Sequence, residues 1–256
     1  MSKPSEYRCQ EDVLRLLEKH NLSLPALRLV HACHYYVDQH PRWHLGLMTN
    51  AGARNCTVRC TDLIAATGTA GAKDNRMIAD GIRDLADKGI FTVLDLSENR
   101  RKLTFRFSKS FVHAGTHLKN SRFAMLDTEI LAKLRSPAHV MFYSWATMVQ
   151  RAKFPQFSFR GVGENDPWSN SKRSFLRAAA SVGGHLGHGY VIIPELDDFQ
   201  EYVAFVRVKI VSASSQWSPG MLYPRSSPEA VSIVQNGVAR TLTRSELRQR
   251  RDWTHI

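Results

Sequence analysis

The chain has 256 residues, 43% of them hydrophobic, which suffices for one large core or two small ones. Lys and Arg number 35 against 23 Asp and Glu, so the net charge is +12 and a polyanion is the expected partner. No apolar run reaches the roughly 20 residues needed to cross a bilayer, the opening MSKPSEYRCQEDV has no signal-peptide core, and Cys9, Cys33, Cys56 and Cys60 are too few and too unevenly placed for a disulfide framework. Membrane-spanning and disulfide-stapled classes are thereby excluded, and a cytoplasmic protein with reduced thiols is expected.

The basic excess is distributed. Residues 1–120 carry 18 basic and 12 acidic side chains, residues 121–212 carry 11 and 8, and residues 213–256 carry 6 and 3. Several segments touching one extended anion would need such a spread, whereas a single basic tail would not produce it.

The first predicted helix covers residues 24–40, where Leu27, Val30, Cys33 or His34, and Val37 recur at helical period and Pro25 suits the first turn. After an Asn- and Gly-containing loop, CTVRC (56–60) alternates as a half-buried strand does. Thr61 or Asp62 can cap a short helix ending before Gly68. The segment 73–88 reads as a further helix with Met77, Ile78, Ile82 and Leu85 on one stripe and Lys73, Asn75, Arg76 and Arg83 off it, closed by Gly89. Two alternating runs, IFTVLDL and LTFRFS, flank the polar tip SENRRK and read as a hairpin with Asn99, Arg100, Arg101 and Lys102 at its turn. The order helix, strand, helix, turn, helix, basic hairpin is that of a winged helix-turn-helix, in which the third helix enters the major groove and the wing meets a phosphate or the minor groove.

Residues 109–122 read as a linker, after which the series partly repeats. FAML is a short strand, Asp127 caps the helix TEILAKLR, and Pro137 opens PAHVMFYSWATMVQRA. QFSFR alternates as a strand, and GVGENDPWSN leaves room for at most one helical turn. A helix restarts with Asn170 or Ser171 as cap and Lys172, Arg173 and Arg177 on its first turns. GYVIIPEL and EYVAFVRVKI form a long hairpin whose tip, Asp197 and Asp198, is acidic and would be repelled by phosphate. Ser- and Pro-rich residues 212–228 are expected to be extended. The last segment has a possible hairpin at Asn236-Gly237 and a basic helix with Arg248, Arg250 and Arg251, capped by Thr243 with Glu246 at capping-box spacing.

The predicted fold class is therefore α+β, two winged-helix domains in tandem (1–115 and 122–212) with a basic C-terminal extension (213–256). This succession, with FAMLDTEILAKLRSPAHVMFYSWATMVQ opening the second unit, resembles the plasmid replication initiators of the tandem winged-helix type. Leu126, Leu131, Leu134, Phe142 and Tyr143 occupy equivalent hydrophobic places, and SKRSFLRAAASV is similar to the helix those proteins lay on repeated origin DNA. The likeness spans about residues 24–210. Two features depart from the pattern: the helix near Arg177 is expected to end at Gly183-Gly184, and the first unit has the more basic wing. The resemblance implies a first unit that helps dimerise and touches DNA, a second that reads the repeat, and a host replication initiator and replicative helicase as partners.

The candidate DNA-binding residues fall in four groups. Lys73, Asn75, Arg76 and Arg83 can meet base edges, and Asn99, Arg100, Arg101 and Lys102 can meet phosphate. Lys172, Arg173 and Arg177 form a second helical cluster, and Arg248, Arg250 and Arg251 a terminal one. The competing reading is a solvated helix face for the two helical clusters, a merely soluble turn for the hairpin group and a disordered tail for the terminal one. Cys56-x3-Cys60 with His31, Cys33 and His34 invites a zinc site, but the spacing fits core packing better. His185, His188 and Tyr190 suggest the metal and nucleophile of strand-nicking initiators, but two residues separate these histidines in a glycine-rich turn, where nicking enzymes place one on a strand. No P-loop, G-x-S-x-G or H-E-x-x-H occurs. The expected function is sequence-specific binding of double-stranded DNA, without cofactor, metal or catalysis. A winged-helix transcriptional regulator or partition-type protein is the alternative, and a protein-binding module the third class.

Overall fold

The computed structural model describes residues 5–39, 55–66, 75–116, 122–160, 168–196, 202–212 and 231–242. Among them it is a mixed α/β protein with eight helices and three antiparallel sheets. The chain divides into two compact units, residues 1–148 and 149–256.

The first unit begins ahead of the first expected helix. Strand β1 (Glu6–Gln10) leads into helix α1 (Glu11–His20), which has Glu11 and Asp12 in its first turn, Lys19 and His20 in its last, and buries Val13, Leu14 and Leu17. That charge order complements the helix dipole. Helix α2 (Leu24–Asp38) starts at Ser23, whose hydroxyl accepts from the Ala26 N–H at 3.4 Å, with Pro25 in the first turn. It is buried on nearly every side, from Ala26 and Leu27 through Cys33 and His34 to Val37, which marks it as the core helix of this unit. Strand β2 (Cys56–Arg59), helix α3 (Cys60–Ala66) and helix α4 (Arg76–Leu85) follow, then strands β3 (Phe91–Leu96) and β4 (Lys102–Phe107). The sheet runs β2-β4-β3, so the strand before the helices pairs with the far arm of the hairpin. Helix α4 is shorter at both ends than 73–88. It packs on α2, and the Asp84 carboxylate accepts from the Ser23 N–H at 2.8 Å.

Residues 109–122, expected as a linker, begin with helix α5 (Lys109–Thr116). The Ser108 hydroxyl accepts from the Phe111 N–H at 3.3 Å, and Phe111 stacks on Phe107 with ring centroids 4.1 Å apart. A serine cap and a buried aromatic outweigh the polar appearance of the segment. Strand β5 (Phe123–Asp127), helix α6 (Thr128–Lys133) and helix α7 (Pro137–Val149) form where the sequence places them. Their partners differ from expectation. β5 pairs antiparallel with β1, Tyr7 opposite Leu126. Thr128 donates to the Ser5 carbonyl from both N–H (2.9 Å) and hydroxyl (3.0 Å), and Arg28 of α2 donates to the Ala132 and Leu134 carbonyls at 3.1 and 2.8 Å, closing the end of α6. The boundary expected between residues 115 and 122 thus falls inside the first compact unit.

The second unit contains β6 (Gln156–Arg160), helix α8 (Trp168–Leu186), β7 (His188–Leu196), β8 (Val203–Ser212), β9 (Ser232–Gln235) and β10 (Val238–Thr241). They form a five-stranded sheet in the order β10-β9-β7-β8-β6. Segment 213–256 is expected as an extension beyond the second domain, but two of its strands are in this sheet: Tyr190 pairs with Val234, and Val231, Ile233 and Leu242 join Val191 and Ile193 in a buried cluster. Strand β9 is buried from Ser232 to Val234 and so sits inside the sheet, while β10 is exposed throughout and forms its edge. Helix α8 does not end at Gly183-Gly184 but runs through them to Leu186. A Cβ on Gly183 would stand 2.7 Å from the His188 carbonyl oxygen and 3.3 Å from the Tyr190 ring. This glycine is where helix and strand approach most closely, and Gly187, at φ +67°, turns the chain into β7.

Candidate nucleic-acid interface

In the first unit the β3–β4 tip is held by its own hydrogen bonds. Ser97 N–H donates to the Lys102 carbonyl (2.9 Å), Lys102 N–H to the Ser97 hydroxyl (3.0 Å), and Arg100 N–H to the Ser97 carbonyl (2.7 Å). The Asn99 carboxamide oxygen accepts from the Arg101 N–H at 3.1 Å and lies 2.9 Å from the Ser97 hydroxyl. Asn99, expected as a phosphate contact, therefore serves the turn, as Asn does in many tight turns. Arg100 takes the left-handed conformation, φ 53°. The side chains of Arg100, Arg101 and Lys102 stand exposed on this fixed backbone.

The starts of two helices meet this tip. The Asn75 carboxamide, at the start of α4, donates to the Arg100 carbonyl. The Cys60 N–H, at the start of α3, donates to the Arg101 carbonyl at 2.9 Å. Asn75 thus links helix to hairpin, a role its expected place against a base edge did not include. Arg76 is exposed at the first position of α4. Arg83 is also exposed, but ion-paired to Asp80 at 3.4 Å, a surface pair of little energetic weight. Lys73 lies outside the described residues.

Sequence reasoning missed Arg59. It ends β2 directly opposite Lys102 in the antiparallel register, and both side chains are exposed. Like charges facing each other across a strand pair repel, and an anion bound between them removes that cost. The signal was the register, which sequence alone did not fix. Around the tip, Arg59, Arg76, Arg100, Arg101 and Lys102 form a cationic surface on which Glu98 is the one acidic residue of the turn.

In the second unit, Lys172, Arg173, Leu176, Arg177 and Ala180 of α8 line a groove of about 440 Å³, open to solvent, whose other wall is Gly237 and Ala239 at the start of β10. These helical positions recur every three to four residues, so they share one face. The opposite face buries Ala178, Ala179 and Val182, and Phe175 packs edge-on against Phe159 of β6 with centroids 5.1 Å apart. None of the three groove cations is ion-paired among the described residues. Arg248, Arg250, Arg251, Asp197 and Asp198 lie outside the described residues.

Most of the remaining reactive side chains are in core positions, although Cys56 and His188 are half-buried and His185 is exposed. Cys9, Cys33 and Cys60 are buried, and burial pushes their thiols up, away from the thiolate that metals and electrophiles need. Tyr190 is fully buried, and its phenol is raised by desolvation. His188 Nε2 lies 3.1 Å from the Gln150 carboxamide oxygen. Among the described residues no three His, Cys, Asp or Glu side chains converge on a metal position, and no helix is long and apolar enough to cross a membrane.

A two-unit α/β chain with an exposed cationic surface on each unit is the class this geometry defines. Among solved structures it matches the Pi initiator protein, crystallised in complex with iteron DNA, at a TM-score of 0.57 and 14% identity, over 84% of this chain and 100% of that one. At that identity the likeness is one of fold. No family model matches the sequence, and no curated relative does.

Proposed function

We propose that the protein binds double-stranded DNA sequence-specifically through two winged-helix units and acts as a plasmid replication initiator at repeated origin sites. The observation that carries this reading is the hydrogen-bonded junction of the β3–β4 tip with the starts of α3 and α4, which gathers Arg59, Arg76, Arg100, Arg101 and Lys102 on one surface. The order α2, β2, α3, α4, β3, β4 and the sheet order β2-β4-β3 suit a winged helix with α4 as its recognition helix. The fold likeness to an initiator solved on iteron DNA supports the same assignment.

The tip cations supply sequence-independent affinity, and α4 and α8 supply selection. The chemistry is binding rather than catalysis, and double-stranded DNA is the partner. On the resemblance, self-association and contacts to a host initiator and helicase complete the role.

The test is a salt titration of duplex binding by the full chain and by the Arg100→Ala/Arg101→Ala variant. The expected result is weaker binding to every sequence, with the log–log salt slope flatter by about 0.9 for each phosphate no longer neutralised. An unchanged slope removes this hairpin from the interface.

A further inference from the structure

The second unit has two hairpins that could flank α8 on DNA. The β7–β8 hairpin follows the helix directly, the position of a wing in a winged helix. The sequence between its strands holds Asp197, Asp198 and Glu201, and Glu195, near the end of β7, is paired with Arg207 at 2.7 Å. The β9–β10 hairpin has no Asp or Glu from Val231 to Leu242 and carries Arg240 on its exposed arm. It is also the hairpin that faces the basic side of α8, across the groove lined by Lys172, Arg173 and Arg177.

From these observations we propose that β9–β10, and not β7–β8, is the DNA-contacting wing of the second unit, gripping one duplex backbone between its turn and the basic face of α8. This rests on the reading of the protein as a DNA binder and names the surface by which the second unit binds.

Rigidity supports the assignment. Asn236 and Gly237 have φ of 50° and 75°, both left-handed, as a two-residue turn matched to strand twist requires. Below the turn, Val231, Ile233 and Leu242 are buried against Val191 and Ile193. The tip is therefore anchored in the core while Gln235, Asn236 and Val238 point into solvent, Val238 with 67% of its surface exposed. An exposed valine beside a polar turn suits the edge of a minor groove, where apolar and amide side chains both find partners. Lys172 and Arg173 stand one helical turn from Arg177, about 6 to 7.5 Å along the axis. That spacing spans neighbouring phosphates of one strand, which carries a charge about every 3.4 Å of duplex axis. A free phosphate would engage only part of this row.

The test uses the full chain and a mixed-sequence duplex of about 40 base pairs, titrated over roughly 50 to 200 mM salt, where phosphate contacts dominate the slope. Val238→Glu/Arg240→Glu places two carboxylates on the wing, and Asn236→Asp adds one while keeping a residue that tolerates the left-handed turn. Far-UV circular dichroism and a thermal melt establish that each variant is folded. The expected result is a loss of affinity of about tenfold or more for the double variant and about threefold for Asn236→Asp, with the slope flattened by about 0.9 where the Arg240 charge is removed. Phe205→Glu, an exposed substitution on β8, is expected to bind as the parent does. Parent-like affinity and slope in both hairpin variants, alongside weakened binding by Lys172→Ala/Arg177→Ala, overturns the wing and leaves DNA binding standing. Failure of the parent chain to bind the duplex overturns both.

Discussion

Arg59 and Lys102 face each other across β2 and β4 with no acidic residue between them in the register. Like charges directly opposite destabilise a strand pair, so replacing either should raise stability slightly and, on the proposed function, weaken DNA binding. Arg59→Thr is expected to leave the melting temperature unchanged or higher, and to lower duplex affinity several-fold at about 100 mM salt. A lower melting temperature with unchanged binding contradicts it. A second residue-scale expectation concerns His31, buried in α2 and hydrogen-bonded to the Tyr7 hydroxyl. Burial lowers its pKa from 6.5 to about 4. The unfolded chain therefore takes up a proton across that window while folded His31 does not, and stability falls as pH drops from about 6.5 toward 4. The full loss is on the order of 3 kcal/mol, complete below the folded pKa. Urea midpoints at pH 7 and pH 5 check this, and His31→Gln should flatten the difference. An equal pH dependence in the variant assigns the effect elsewhere.

At the scale of elements, close approach and capping decide where segments go. A methyl group on Gly183 meets the His188 carbonyl oxygen at 2.7 Å, so Gly183→Ala should push α8 away from β7 and cost about 1–3 kcal/mol by overpacking. Because α8 carries Lys172, Arg173 and Arg177, that shift should also weaken duplex binding without removing a charge. Denaturant unfolding and binding on the same sample check both, and a fully stable variant contradicts the close approach. Gly184, with open space where a Cβ would stand, is the control position. Most elements were legible because their patterns are local: Pro25 at the start of α2, the period-2 runs of β3 and β4, and the Asn236-Gly237 turn. Their pairing was less so. β1 joins β5 across more than a hundred residues, and nothing in EYRCQ or FAMLD names the other as partner. Helix α5 was hidden by its Lys, His, Gly and Thr, although Ser108 caps it and Phe107 stacks on Phe111. The helical and hairpin cations of the candidate site were readable from charge and turn chemistry, but Arg59 was not, because only the β2–β4 register sets it opposite Lys102. What Asn75 and Asn99 do was not, since both bond to backbone atoms whose positions depend on the folded hairpin.

At the scale of the whole chain, the basic excess divides between two compact units, each with its own hairpin beside a helix that carries exposed cations. Two cationic surfaces on one chain suit DNA with repeated or extended sites better than a single short site. A chain binding through both should show a salt slope steeper than either set of cation substitutions leaves behind, with losses adding where the two surfaces act independently. Combining Arg100→Ala/Arg101→Ala with Lys172→Ala/Arg177→Ala should flatten the slope by about the sum of the two single effects. A combined effect no larger than one alone assigns DNA binding to one unit. The most direct test of the central claim is selection of bound fragments from random and replicon DNA by the full chain at about 150 mM salt, where non-specific attraction is partly screened. Enrichment of direct repeats beside an AT-rich tract is the expected result. A single palindrome would instead make the protein a regulator, and no enrichment at all would contradict sequence-specific binding.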